Sequence, residues 1–292
     1  MIDYPALAAL TAVLRSGSFE AAADQLGLSQ SAVSQRIKGL EDRMGTILIH
    51  RTRPATATET GRRLMQHAEE VALLERTLGQ DLITLRPART TPVRIAVTAD
   101  SLASFLLPAL AAIDGLLFDL VIDDQDFSAE LLKTGEVAAA VTTAAAPVTG
   151  CDAIPLGALP YTAFASPTYV ERWFPDGVTA EALSSAPALT FNRKDALQNR
   201  MAAKIAGHPV TLTTHYVGAT QAITDAAIAG LGWAVNPTPL ITPHFPTGAL
   251  IDLAPGIQIN TPLMWQIPRQ NRAALQDLTT AIRDAAKRAM QS

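Results

Sequence analysis

Paired cysteines, metal-ligand spacings and long apolar runs are all missing from this sequence. Cys151 is the single cysteine, so the chain can form neither an internal disulfide nor a paired-cysteine zinc or redox site. The five histidines never fall at the spacing that metal ligands need, and no stretch approaches eighteen consecutive apolar residues. We therefore expect no disulfide scaffold, no metal and no transmembrane helix.

Signal-peptide features and enzyme motifs are also missing. Met1–Pro5 include an acid and lack a basic segment followed by an apolar one, so we expect a cytoplasmic protein. The patterns Gly-x-Ser-x-Gly, Gly-x-x-x-x-Gly-Lys-Ser/Thr and His-Glu-x-x-His do not occur, and Gly230-Leu231-Gly232 is too short for a nucleotide fingerprint. We expect neither an enzyme nor a bound cofactor.

The formal net charge is −4, but it is unevenly distributed. Residues 1–92 carry 11 basic and 10 acidic side chains, whereas residues 93–292 carry 12 basic and 17 acidic ones. Within 29–53 there are five basic residues against two acidic ones. A positive segment followed by an acidic domain is expected when the first module binds phosphate groups and the second binds a cation.

The chain divides into four segments. We predict short helical elements over 1–57, one long helix over 58–85, and a hinge at 86–91, which contains Pro87 and is followed by Pro92. From residue 92 to 292, β-rich runs alternate with helical ones, which predicts an α/β domain with a mostly parallel sheet and a ligand crevice at the strand carboxyl ends. The predicted strands are 93–98, 119–123, 138–143, 161–165, 188–191 and 233–235, and the predicted helices are 101–113, 128–135, 195–206, 219–230 and 271–290.

The first segment has the capping residues and the apolar spacing expected of three closely packed helices. Leu7, Leu10, Val13 and Leu14 share one face of the segment 5–16. Ser18 is a good N-cap for a second helix, Phe19–Leu26, in which three alanines allow another helix to approach closely. Gly27 suits the left-handed position that ends this helix, and Ser29 is the N-cap of a third. This arrangement favours a helix-turn-helix.

The third helix has an apolar seam and an opposite polar face. Val33, Ile37, Leu40 and Met44 are spaced for burial, while Ser31, Ser34, Gln35 and Lys38 share the other side. Short hydrogen-bonding side chains with one cation suit the major groove of DNA. A solvated surface face is the alternative. The predicted DNA-contacting residues are Ser29, Gln30, Ser31, Ser34, Gln35 and Lys38, with Arg51 and Arg53 added by the next segment.

Residues 47–54 predict a short β-wing, in which Arg51 and Arg53 suit backbone phosphates. Thr58 is a candidate N-cap for the long helix that follows. In that helix Leu64, Val71, Leu78 and Leu85 recur every seven residues, the spacing of a helix-to-helix seam. A helix lying on its own domain would give a similar pattern, but the length of the seam favours a contact between two chains.

The order of these features resembles the LysR-type transcriptional regulators. The resemblance rests on Ser18-Phe19-Glu20-Ala21-Ala22-Ala23 and Leu28-Ser29-Gln30-Ser31-Ala32-Val33-Ser34-Gln35-Arg36-Ile37-Lys38-Gly39-Leu40-Glu41, followed by a wing and a linker helix. It implies a winged helix-turn-helix, linker helices that pair two chains into a homodimer or homotetramer, and a two-lobed α/β sensor like that of periplasmic binding proteins. Leu48-Ile49-His50-Arg51 departs from the common Leu-Phe-x-Arg of the family wing.

The C-terminal two-thirds resembles the arginine/lysine-responsive branch of that family. The matching segments are Val97-Thr98-Ala99-Asp100-Ser101-Leu102-Ala103, Asp124-Gln125-Asp126, Gly135-Glu136-Val137, Ala165-Ser166-Pro167 and Phe191-Asn192-Arg193-Lys194-Asp195. The resemblance implies lobe I at 92–161 and 264–292, and lobe II at 162–263. A free-standing solute-binding protein shares this fold, but would need a signal peptide and no helix-turn-helix.

A basic amino acid needs donors for its carboxylate and carboxylates for its cations. The turn before the helix at Ser101 offers backbone N–H groups and a hydroxyl. Asp100 lies in that turn, and further acids follow the next predicted strand. Asp100 as a helix cap and the later acids as a solvated loop remain the alternatives. The predicted effector contacts are Asp100, Ser101, Asp124, Asp126, Thr142, Thr143 and Thr220.

These observations predict a regulator of basic amino acid transport, export or metabolism that responds to Lys, Arg or His. The expected partners are double-stranded promoter DNA, a second copy of the chain and RNA polymerase, with no membrane. A LysR-type regulator of a different small metabolite is the alternative.

Overall fold

A computed structural model describes residues 3–81, 91–122, 125–143 and 146–290, without the side chains of 76–81 and 125–127. Two compact units are present. One comprises residues 1–93 with 115–117, and the other comprises residues 94–114 with 118–292.

Three helices of the first unit begin and end where the sequence predicts. They are α1 (Tyr4–Ser16), α2 (Phe19–Leu26) and α3 (Gln30–Met44). The Ser18 hydroxyl accepts the Ala21 N–H at 3.4 Å, and the Ser29 hydroxyl accepts the Ala32 N–H at 3.2 Å. Gly27 ends α2 with φ +65°, a conformation that a side chain disfavours.

The core of this unit lies where α1, α2 and α3 pack against one another. Val33, Ile37 and Leu40 are fully buried on one side of α3, as predicted. The expected burial of Met44 is wrong, because its side chain is 38% exposed. Met44 is the last residue of α3, one position before the turn at Gly45 and beyond the final core position.

The wing is a hairpin of two very short strands, β1 (Ile49–His50) and β2 (Thr56–Ala57), paired antiparallel. The sequence located the outgoing strand but missed the returning one, since two residues give no alternating pattern. Helix α4 (Glu59–Asp81) follows, and the Thr58 hydroxyl accepts the Gly61 N–H at 3.1 Å. Residues 82–90, which contain the rest of the predicted helix and most of the hinge, lie outside the described residues.

The second unit is built on a nine-stranded mixed sheet. Its order is β4-β3-β5-β11-β6-β9-β7-β8, with β10 beside β6. The strands are β3 (Thr91–Val97), β4 (Leu116–Ile122), β5 (Ala139–Thr142), β6 (Cys151–Ala165), β7 (Ala188–Thr190), β8 (Thr214–Tyr216), β9 (Trp233–Pro237), β10 (Ile251–Asp252) and β11 (Ile259–Pro268).

Helices cover this sheet, and the described ones are α5 (Ala99–Ser101), α6 (Leu107–Ala111), α7 (Gln125–Lys133), α8 (Pro167–Trp173), α9 (Ala180–Ser185), α10 (Leu197–Ala206), α11 (Thr220–Ile228), α12 (Thr238–Ile241) and α13 (Gln276–Met290). A π-helical turn, Leu102–Leu106, joins α5 to α6. The predicted helices at 195–206 and 219–230 correspond closely to α10 and α11, whereas α8, α9 and α12 were not predicted.

The expectation of a mostly parallel sheet needs correction. β3 and β5 are parallel, and β7 is parallel to both β8 and β9. The two longest strands, β6 and β11, run antiparallel to each other and to β9 and β5, respectively. Only residues 161–165 of β6 were predicted, because Pro155, Gly157 and Pro160 resemble breakers in the rest of the strand.

No helix in the described part of the chain is both long and apolar enough to cross a membrane. Among the same residues, no group of three or more His, Cys, Asp or Glu side chains is placed to hold a metal ion.

Candidate DNA-binding surface and effector cleft

Helix α3 presents a polar surface on the side away from its core residues. Gln35 and Lys38 are exposed and Ser34 is half-buried, as their spacing predicts. At the start of the helix, Ser29, Gln30 and Ser31 are exposed, and the hydroxyls of Ser29 and Ser31 lie 2.9 Å apart. These six predicted DNA-contacting residues therefore form one accessible strip along α3.

The two wing arginines differ in their surroundings. The guanidinium of Arg51 lies 5.2 Å from the centre of the Phe19 ring, and its Nη2 atom is 4.0 Å from Glu41 Oε2. Arg53 is exposed, and the structure gives it no ion pair with any described residue. Arg53 is thus the freer of the two cations, whereas Arg51 also packs against the second helix.

Glu41 fixes the wing to α3, a role that the sequence analysis missed. Its Oε1 atom accepts the N–H of Leu48 at 2.9 Å and that of Ile49 at 3.4 Å. A carboxylate that accepts two backbone N–H groups holds β1 at a set distance from α3. These bonds attach the first strand of the wing directly to α3, the helix that carries the predicted DNA-contacting strip.

Only the first half of the predicted seam on α4 can be assessed. Leu64 packs against the core of its own domain, and Arg15 of α1 forms a 2.8 Å ion pair with Glu69. For Leu64, the alternative of a helix lying on its own domain therefore holds. Val71 is half-buried, the side chain of Leu78 is not described, and Leu85 lies outside the described residues. The dimer contact remains a prediction.

The candidate effector site of the second unit is placed by the direction of its parallel strands. The parallel strands β3 and β5 end at Val97 and Thr142, so their carboxyl ends share one edge. The parallel strands β7, β8 and β9 likewise share an edge, at which α10 and α11 begin. Ligands of open α/β sheets bind outside such edges.

Asp100 joins these two groups of strands. Its Oδ2 atom accepts the Tyr161 hydroxyl at 2.7 Å, and its Oδ1 atom accepts the Thr220 hydroxyl at 2.9 Å. Asp100 follows β3, whereas Thr220 begins α11, 120 residues later. The sequence analysis named Asp100 and Thr220 separately, and the structure brings them into contact. It missed Tyr161, because a lone tyrosine at the start of a predicted strand does not indicate a ligand site.

The electrostatic surroundings of Asp100 are unfavourable for its charge. Burial raises the pKa of this carboxyl, the hydroxyls of Tyr161 and Thr220 partly oppose that effect, and the negative charge of Asp195 adds to it. Neither Asp100 nor Asp195 forms an ion pair with a described residue. Two nearby carboxylates without a cation between them make a site that favours a positively charged ligand.

Thr98, rather than Asp100 or Ser101, caps the turn after β3. Its hydroxyl accepts the Ser101 N–H at 3.1 Å and lies 2.7 Å from the Ser101 hydroxyl oxygen, to which it donates. The cap alternative for Asp100 therefore does not hold, since its carboxylate is directed to Tyr161 and Thr220. Ser101 is fully buried.

Thr142 lies at the predicted edge, but its oxygen is already engaged. It accepts the Gln266 amide at 2.9 Å, and Gln266 in turn accepts the Val148 N–H at 2.7 Å. Both residues of the Thr142–Gln266 pair are buried, so this bond stabilises the β5–β11 pairing. Thr143 is half-buried at the end of the strand.

The acidic segment after β4 cannot be placed in the cleft. Asp124 lies outside the described residues, and Asp126 lies in α7 but its side chain is not described. Both stay predictions.

Family models match both parts of the chain. A bacterial regulatory helix-turn-helix protein of the lysR family matches residues 5–62, and a LysR substrate binding domain matches residues 88–287.

Named relatives are similar over nearly the whole length. The chain is 39% identical over 285 residues to the HTH-type transcriptional regulator LysG of Mycobacterium tuberculosis, which covers 98% of this chain and 94% of that protein. It is 42% identical over 270 residues to the HTH-type transcriptional regulator ArgP of Pseudomonas fluorescens, covering 91% and 90%.

Solved structures of such relatives have the same fold. The crystal structure of ArgP from Mycobacterium tuberculosis has 40% identity, a TM-score of 0.75 and coverage of 98% of each chain. Full-length LysG from Corynebacterium glutamicum with bound effector Arg has 33% identity, a TM-score of 0.62 and coverage of 98% and 99%. The relatives are named as transcriptional regulators and not as enzymes. The chain belongs to the LysR family of bacterial helix-turn-helix regulators, and within it resembles LysG and ArgP.

Proposed function

We propose that this regulator senses a basic amino acid and controls genes for the transport, export or metabolism of such amino acids. The observation that carries the proposal is the partly buried Asp100, which accepts two hydroxyl donors, is repelled by the charge of Asp195 and forms no ion pair with a described residue. The structure of a 33% identical LysG with bound Arg supports the same effector class.

The effector would bind between two lobes, 92–161 with 264–292 and 162–263. The α-ammonium group of the effector would donate to Asp100, either in place of the Tyr161 and Thr220 hydroxyls or from between them. Its α-carboxylate takes N–H groups and hydroxyls at the same edges, for which Ser101, Thr142, Thr143 and Thr220 are the candidates. An effector that binds one arrangement of the lobes more tightly shifts the population toward it.

The winged domain, 1–57, would read promoter DNA through the strip on α3. Ser34 and Gln35 would contact base edges, and Lys38, Arg51 and Arg53 would contact phosphates. The linker helix, 58–85, would pair two chains as a homodimer or within a homotetramer, and the hinge at 86–91 would pass the change in the lobes to the DNA-binding pair. A change in spacing between winged domains would then alter promoter contacts or recruitment of RNA polymerase in the cytoplasm.

A band-shift experiment tests this function. The full-length chain is titrated onto the intergenic DNA upstream of its own gene, with and without Arg, Lys or His, in excess competitor DNA. We expect sequence-specific retention, with a footprint or affinity that at least one basic amino acid changes. Asp100→Asn should retain the DNA and lose the amino acid response.

Indifference of the wild-type complex to all three amino acids would contradict the proposed effector class. Failure to retain the DNA even at low salt, where electrostatic binding to phosphates is strongest, would contradict the proposed DNA binding.

A further inference from the structure

Gln198 is a buried amide whose oxygen lacks a hydrogen-bond donor. The residue is 1% exposed, and its Oε1 atom has no hydrogen-bond partner among the residues that the structure describes. Buried polar atoms are almost always paired, since losing hydration without compensation is unfavourable. An exception inside a ligand-binding unit therefore points to a group that arrives from outside.

Gln198 lies near the start of α10, the helix that follows the carboxyl end of β7. It lies in the first turn of α10, on the buried face that also includes Met201 and Ala202. Helix α10 packs on β7 and β9 and begins after the carboxyl end of β7. Tyr161, which donates to Asp100, lies opposite Pro237 at the carboxyl end of β9. The first turn of α10, which contains Gln198, and the Asp100 cluster thus belong to the same edge of the sheet.

Asp195 precedes α10 and supplies a negative charge at this point. Its two oxygens accept the N–H groups of Leu197 at 2.9 Å and Phe191 at 3.4 Å, which fixes the carboxylate against the backbone. Asp195 follows the carboxyl end of β7, and Thr220, which donates to Asp100, follows the carboxyl end of the parallel strand β8, so both lie at the same edge of the sheet. After burial, the negative charge of Asp195 is among the causes that raise the pKa of both Asp100 and Tyr161.

We propose that Gln198 and Asp195 form the subsite for the distal cationic group of the effector, a guanidinium or an ammonium. The proposal rests on the proposed function and deepens it. Gln198 Oε1 accepts a distal N–H, and Asp195 balances its charge. Asp100 then binds the α-ammonium group, so that the two carboxylates hold the two cationic ends of one molecule.

Calorimetry on the full-length chain tests whether Gln198 and Asp195 bind the distal group while Asp100 binds the α-ammonium group. Arg and norvaline are titrated into wild type, Gln198→Met and Asp195→Asn, since norvaline has the same α-carbon groups but no distal N–H. Asn199→Leu, which changes an exposed amide on the same helix, is the control. Melting temperatures without ligand are measured in parallel.

We expect Gln198→Met and Asp195→Asn to bind Arg at least tenfold more weakly, with norvaline affinity changed less than twofold and Asn199→Leu unaffected. The melting temperature of Gln198→Met should equal or exceed that of wild type, because methionine removes an unpaired polar atom at similar volume. A purely structural glutamine would instead leave a less stable protein.

Two results would overturn the subsite. One is Arg affinity within twofold of wild type in Gln198→Met and Asp195→Asn, and the other is a parallel loss of Arg and norvaline. Wild type that binds no basic amino acid would remove the proposed function as well, so the two failures are distinguishable.

Discussion

The proposal of a cationic effector depends mainly on the surroundings of one residue, Asp100. Its two oxygens are held by hydroxyls from β6 and α11, which are far apart in the sequence. Hydroxyls stabilise a carboxylate less than a cation does, and Asp195 adds repulsion. These surroundings are the basis for our proposal that a positively charged group of the effector binds at Asp100.

The pH dependence of stability tests this description of Asp100. Because burial raises its pKa in the folded state above the ordinary value of 3.8, the folded protein binds this proton more readily than the unfolded one. The contribution of Asp100 to stability therefore falls as pH rises from below 3.8 towards neutrality. Asparagine does not titrate, so the stability of Asp100→Asn relative to wild type should increase over this interval.

Urea denaturation of both proteins at a series of pH values measures that difference. Stability profiles that stay parallel throughout would show that the Asp100 pKa is unshifted.

A second residue-scale prediction concerns the exposed strip on α3. Gln35→Ala should reduce discrimination between operator and mutated operator by about 1–3 kcal/mol if its amide reads a base edge. Quantitative footprinting on matched sites gives this number. Equal protection of all sites by wild type and variant would place base reading elsewhere.

Arg53→Ala provides the contrasting case. Because Arg53 is exposed without an ion pair among the described residues, its loss should weaken binding to every sequence similarly and lower the salt slope by about 1. A selective loss for one operator sequence would contradict its assignment to phosphate.

At the scale of elements, the starts of the helices were predicted more accurately than the long strands. Ser18, Ser29 and Thr58 all cap helices as predicted, since an N-cap is a local signal that needs no knowledge of the fold. Most of β6 and all of β11 were not predicted, because their pairing is non-local and because the prolines in both strands and the glycine in β6 resemble strand breakers. Tyr161 lies in the predicted part of β6, but its bond to Asp100 was missed because it joins residues 61 positions apart in the sequence.

The junction between wing and linker helix gives an element-scale prediction. A Cβ added to Gly61 would collide with the carbonyl of Leu48, whereas one added to Gly39 would meet no atom within 4 Å. Gly61→Ala should therefore destabilise the winged domain by about 1–3 kcal/mol. Gly39→Ala should stabilise α3 by about 0.5–1 kcal/mol, since alanine favours a helix interior.

Thermal unfolding followed by circular dichroism compares the two variants directly. Equal melting temperatures for Gly61→Ala and Gly39→Ala would show that α4 does not approach Leu48 so closely.

At the scale of the whole molecule, the charge division matches the two tasks proposed for the chain. The segment 29–53 is positive and contains the proposed DNA-contacting residues, whereas residues 93–292 have an acidic excess and contain the proposed site for a cationic effector. Sequence counting could show this asymmetry. It could not show which acids face the cleft, because that depends on where α10, α11 and β6 meet.

The oligomer prediction also belongs to this scale. Val71→Glu places a charge in the predicted seam of the linker helix, so it should shift sedimentation from dimer or tetramer toward monomer. A distribution identical to that of wild type at the same concentration would place the contact between chains elsewhere.

The most direct test of the central claim is calorimetric titration of Arg, Lys and His into the full-length wild type and into Asp100→Asn. The account predicts saturable binding of at least one of the three to wild type, and affinity at least tenfold weaker in the folded variant. Equal affinity in the two proteins, or no binding to wild type, would contradict it.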